Sequence, residues 1–174
     1  TQTNYGTGVL TVNGAPVGRE MGVYGYSKHF PYTIPEDHDG SVMVVVATDA
    51  PLDQRQLERL AKRVGLGLAR TGFLSTNGSG DFFIAFSTAY KIPHSTPITM
   101  TTEVVTNDSM SALFLAVIEA TEEAAINSIL KATTVVGRDN NVSEAINIDE
   151  LIEIMKKYNA LNWHETILPW GKTE

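Results

Sequence analysis

The chain contains no cysteine, which excludes disulfide staples, thiolate metal sites and a thiol nucleophile. Basic residues are also scarce. Thirteen Lys and Arg stand against 20 Asp and Glu, giving a formal charge of −7 over 174 residues. That acidic balance, spread along the chain, argues against sequence-independent nucleic-acid binding, which needs clustered Lys and Arg. No apolar run approaches the ~20 residues of a membrane span. The four histidines, His29, His38, His94 and His164, show no compact ligand spacing, so no metal site is expected. At 43% hydrophobic and 19% charged, the chain has the composition of a folded domain long enough to bury a core. It begins at Thr1 without an initiator Met or a signal-like region, so processing or further upstream sequence is expected.

What is present divides at residue 41. Before it, short β-type runs at Gly8–Val12 and Gly22–Tyr26 flank Asn13-Gly14, a strong hairpin signal. Residues 28–40 hold two prolines and no periodicity, and read as an exposed connection. After it, Val42–Ala47 is a continuous apolar run, as in a strand covered on both faces. A helix follows, with Leu57, Leu60, Ala61, Val64 and Leu68 on one face, Asp53 as N-cap and Gly72 as the stop. A small-residue loop, Ser75–Asp81, leads into a second buried strand, Phe82–Ser87. A short strand is expected around Ile98–Glu103, a long helix from about Ser109 to Ala132, and a last helix from about Asp149 to Tyr158 with Leu151, Ile152 and Met155 inward. This order favours a layered α/β sandwich.

Three places offer chemistry. Ser41 follows Gly40 at the head of a strand, after a loop. Cleavage of the Gly40–Ser41 bond would give Ser41 an α-amine of ordinary pKa ~7.7–8.0, close enough to its own hydroxyl to serve as general base. One residue would then supply both nucleophile and base. On spacing alone, however, Gly-Ser is more often a simple turn. Asn77-Gly78-Ser79-Gly80-Asp81 would present Ser79 and Asp81 with the backbone close to a ligand, or would be a turn satisfying its own backbone. Asn4, in Gln2–Gly6, carries an amide suited to an oxyanion, and equally suits an ordinary loop. Gly65–Arg70 has glycines in a dinucleotide-like pattern, but it falls inside a helix, where the phosphate geometry is absent.

Taken in order, the segments Asp39–Leu52, Gln56–Ala61, Leu68–Gly72, Asn77–Asp81, Ala120–Ala124 and Gly137–Asp139 resemble the small subunit of the self-processing N-terminal-serine aminopeptidases. That family includes the D-aminopeptidase DmpA and the β-peptidyl aminopeptidases. Gln2–Gly6 and Pro16–Arg19 resemble the end of its large subunit. The resemblance implies an αββα four-layer sandwich of which this chain is a part. Residues 1–40 would be the C-terminal part of the large-subunit segment and residues 41–174 the small-subunit segment. It further implies autocleavage at Gly40–Ser41, Ser41 as nucleophile, Asn4 as oxyanion donor, Ser79 near the nucleophile's amine, and Asp81 in acid–base work. No cofactor and no metal are implied. The substrates implied are small peptides, amides or esters with a free N-terminal amine. The expected partners are the remaining large-subunit portion and further copies, as a homo-oligomer of processed heterodimers, with neither nucleic acid nor membrane. A cytoplasmic address is expected, with a periplasmic one as the alternative. The alternatives are an acyl-transferring relative of the same fold and a catalytically silent binding or assembly protein.

Overall fold

A computed structural model describes residues 8–22, 41–95 and 98–161. Strand β1 (Met43–Thr48) pairs in parallel with β2 (Phe82–Ser87), in the register Met43↔Phe82 to Thr48↔Ser87. A parallel pair needs a crossover, and here it is α2 (Gln54–Arg70). Asp53 starts that helix with a capping box. Its Oδ1 accepts from the Gln56 N–H at 2.7 Å, and Gln56 Oε1 accepts from the Asp53 N–H at 3.0 Å. Gln56 Nε2 also donates to the Val105 carbonyl, so both the oxygen and the nitrogen of this buried amide are bonded. Leu60, Val64 and Leu68 face the core as expected. The helix stops at Gly72, which takes φ +89°.

Helix α3 (Met110–Leu130) crosses α2 closely at Gly67. A Cβ on Gly67 would lie 2.5 Å from the Ile118 carbonyl oxygen and 2.7 Å from Thr121 Cβ. Gly67→Ala should therefore destabilise the fold. The overlap costs about 1–3 kcal/mol, more than the ~1 kcal/mol gained in helix propensity. Its denaturation midpoint is expected to fall with the slope unchanged. The α2–α3 seam and the inner face of β1 share a core of Val42, Val44, Leu52, Leu60, Val64, Leu68, Met110, Val117 and Ala125. Each large apolar side chain buried there contributes about 1.5–3 kcal/mol.

Four expectations need correction. Among the described residues the two strands are covered on one face only: Met43, Val45, Phe82, Ile84 and Phe86 are 44–62% exposed on the face opposite the helices. The apolar run thus records a second face that the described residues leave open. No strand forms at Ile98–Glu103. Pro93 and Pro97 remove backbone donors next to that stretch, and it is held instead by a hydrogen bond from the Tyr90 hydroxyl to the Glu103 carbonyl. In helix α4 (Ile148–Lys157), Leu151, Ile154 and Met155 are buried and Ile152 is exposed, as an i, i+3, i+4 stripe requires. The Asn13-Gly14 turn does form, with φ +46° and +81°, but it closes on a single Val12–Ala15 bridge. The chain then enters helix α1 (Val17–Glu20) rather than a second strand. Of the expected run Gly22–Tyr26, residues 23–26 lie outside the described residues. A small antiparallel pair, β3 (Val135–Val136) with β4 (Val142–Ser143), was not foreseen.

Residues 8–22 are fastened to the rest of the fold. Leu10, Ala15 and Val17 share a second core with Leu151, Ile154, Met155 and Ala160. Thr11 N–H donates to the Thr71 carbonyl at 2.9 Å, and Asn13 Nδ2 to the Ala160 carbonyl at 2.7 Å. The Glu20 carboxylate accepts from Lys157 Nζ and from the Tyr158 hydroxyl, each at 2.6 Å. The Lys157 hydrogen bond, then that of Tyr158, holds the Glu20 carboxyl below its ordinary value, while Glu20 raises both partners. A lowered carboxylate stabilises fully above its unfolded pKa, and that contribution is lost as pH falls through the lower folded one. For Lys157 the loss comes only in strong alkali. Glu20→Gln should therefore flatten the acid limb of a stability–pH curve below about pH 4.5, which a thermal-melt series would show.

Candidate active site

The loop between α2 and β2 is shaped around one carboxylate. In the loop beyond α2, Ser75 takes φ +48°, and a tight turn follows in which Ser79 N–H donates to the Thr76 carbonyl at 2.8 Å. Asp81 then accepts on both oxygens. Its Oδ1 takes the Ser79 hydroxyl at 2.6 Å and the Val42 N–H at 3.2 Å, and its Oδ2 takes the Ser75 hydroxyl at 2.5 Å. The loop is zipped to the head of β1 from the other side as well. Gly80 N–H donates to Ser41 Oγ at 3.1 Å, and Phe82 N–H to the Val42 carbonyl at 3.0 Å.

Ser41 and the Ser79–Asp81 segment, about 40 residues further along the sequence, thus meet at one end of the β1–β2 pair. The Ser41 side chain is exposed, so a substrate can reach it. Its oxygen accepts the Gly80 N–H, leaving the hydroxyl proton to be given elsewhere. The Asp81 carboxylate accepts from the backbone nitrogen of Val42, the residue after Ser41. Asn4 and Gly40 lie outside the described residues. Ser75 was not singled out as a site residue. Its link to Asp81 depends on a left-handed backbone at a non-glycine position, which composition and periodicity do not signal. Among the described residues, no group of three or more His, Cys, Asp or Glu is placed to hold a metal ion. No helix among them is long and apolar enough to cross a membrane.

The α/β scaffold is that of the Ntn hydrolase fold, as comparison with solved structures shows. The L-aminopeptidase D-Ala-esterase/amidase of Ochrobactrum anthropi, described as a new variant among the Ntn hydrolase fold, superposes with a TM-score of 0.71 at 33% identity, over 87% of this chain and 40% of that one. The PH0078 protein of Pyrococcus horikoshii OT3 gives 0.71 at 41% identity with the same coverage. A Burkholderia sp. β-aminopeptidase gives 0.68 at 30%, over 91% and 42%.

The chain belongs to peptidase family S58, whose model matches residues 1–143. Among curated relatives, the β-peptidyl aminopeptidase BapA of Sphingosinicella microcystinivorans is 39% identical over 164 residues, 87% of this chain and 40% of the relative. BapA of Sphingosinicella xenopeptidilytica is 41% identical over 124 residues, covering 70% and 31%. The chain therefore spans about two fifths or less of the relatives it matches.

Proposed function

We propose that this chain is the part of a self-processing serine aminopeptidase that carries the cleavage point and the nucleophile. The observation that carries the reading is the Ser41 hydroxyl at the head of β1, bonded to the Gly80 N–H and set beside the carboxylate of Asp81. Membership of the peptidase family, and relatives that are aminopeptidases, support it.

Two reactions follow. In maturation the Ser41 hydroxyl attacks the Gly40 carbonyl carbon, the Gly40–Ser41 C–N bond breaks, and an ester forms on Ser41 Oγ while the freed nitrogen takes the proton. Water then hydrolyses that ester, leaving a carboxylate on Gly40 and a free amine on Ser41. In turnover this amine takes the hydroxyl proton as Oγ attacks the carbonyl of the substrate's first residue. Asn4 and a backbone N–H stabilise the oxyanion. The leaving amine departs with a proton, and water cleaves the acyl-enzyme. Asp81 favours the protonated amine between steps, and Ser79 fixes the carboxylate.

The open apolar face of β1 and β2 is, in this reading, the surface on which the remaining layers of the sandwich pack. Substrate preference is tested with amino-acid p-nitroanilides. Those with a free amine should release p-nitroaniline, and N-acetylated ones should not. Equal hydrolysis of both would contradict an aminopeptidase, and transfer of the acetyl group to an added amino acid would point to an acyltransferase.

A further inference from the structure

Asp81 is the shorter of the two acidic side chains, and its reach toward Ser41 depends on how its carboxylate is aimed. Oδ1 faces β1, bonded to Val42 N–H and the Ser79 hydroxyl. Oδ2 faces the other way and is held by the Ser75 hydroxyl at 2.5 Å. Val42 and Ser79 hold Oδ1 only. The χ2 torsion of Asp is broad and soft, and the Ser75 contact adds a tie on the second oxygen that narrows it further.

The backbone at Ser75 sharpens the point. Its φ of +48° is uncommon for a residue other than glycine or asparagine, and it costs on the order of 1 kcal/mol or more. A glycine would relieve that strain but would bring no hydroxyl. A side chain kept in a conformation that glycine suits better has its value in what the side chain does.

We infer that Ser75 is a positioning residue for the Ser41 chemistry: it locks Asp81 in the orientation that serves the Ser41 amine. This rests on the proposed nucleophilic role of Ser41. Among the described residues Ser75 bonds Asp81 and not Ser41, so it acts through Asp81.

The test uses the protein expressed from its complete gene. Ser75→Gly keeps the left-handed backbone and removes only the hydroxyl. Ser75→Asn also suits that backbone and supplies an amide donor. Loss of a hydrogen bond to a charged group predicts a fall in kcat of roughly tenfold or more for Ser75→Gly, with KM within about twofold. Ser75→Asn should recover most of the loss. In an Asp81→Asn background, followed with a fluorogenic amide, Ser75→Gly should bring no further fall. Wild-type kcat in Ser75→Gly, or an equal loss on top of Asp81→Asn, would overturn the inference. Failure of the underlying reading shows elsewhere, as undiminished hydrolysis by Ser41→Ala.

Discussion

Replacing Ser41 with alanine is expected to stop maturation and turnover together. The hydroxyl is the only group on that residue able to open the Gly40 carbonyl, and the freed amine exists only if that step has occurred. Removing a nucleophile that works as a unit with its base costs orders of magnitude, and at least about 10³-fold is expected in hydrolysis. The variant should be recovered as a single chain through residues 40 and 41, and should show no acyl adduct with substrate. The fold should survive. Ser41 is exposed, and the bond its hydroxyl gives up is to the exposed Gly80 N–H, which water can replace. Two readouts therefore separate chemistry from folding: an unchanged melting midpoint and an absent cleavage product. Ser41→Thr or Ser41→Cys, which keep a nucleophilic atom, should retain some self-cleavage.

The largest stability loss is expected at Gly72. Its φ of +89° favours glycine, and a Cβ would fall 1.9 Å from the Val9 carbonyl oxygen and 2.9 Å from its carbon. The neighbour is backbone, not the yielding end of a side chain, so residues 8–11 must move. Conformational strain and overlap together amount to about 3–5 kcal/mol for Gly72→Ala. In a domain of this size that lowers the melting midpoint by roughly 10 °C. Gly14→Ala is the control. Gly14 also has a positive φ, +81°, but nothing lies within 4 Å of its added Cβ, so only the strain remains. The displacement at Gly72 would pull Thr11 from the Thr71 carbonyl, one of the ties that fasten residues 8–22 to the chain beyond Ser41. If the Gly40–Ser41 bond is cut as proposed, those ties are non-covalent links between the two pieces. Gly72→Ala should accordingly release the piece ending at Gly40 more readily on gel filtration than Gly14→Ala does.

How much of this was legible in the sequence depends on the range of the interaction. The crossover helix was legible because its signals are local: Asp53 at the N-cap, a 3.6-residue apolar stripe and Gly72 after the last turn. The second strand was bounded at Phe82–Ser87, as observed. The exposed outer sheet face was not legible, since an unbroken apolar run states that both faces are to be covered and not which part of the protein covers them. The phase of α4 slipped at Ile152 because adjacent Ile and Leu residues offer two competing stripes. Ser41, Ser79 and Asp81 were proposed as site residues from motif order and family resemblance. Their meeting depends on the parallel register that sets Met43 opposite Phe82. Ser75 was missed because a positive φ at serine and a contact to Asp81 six residues later have no periodic signature.

The central claim is that Ser41 becomes an N-terminal nucleophile, and intact mass spectrometry of the purified protein, before and after brief exposure to an amino-acid ester, tests it most directly. The expected result is a fragment beginning at Ser41, with a transient mass increase equal to one aminoacyl group located on Ser41 itself. A protein that hydrolyses the ester while uncut between Gly40 and Ser41, or one whose acyl group sits on another residue, would contradict it.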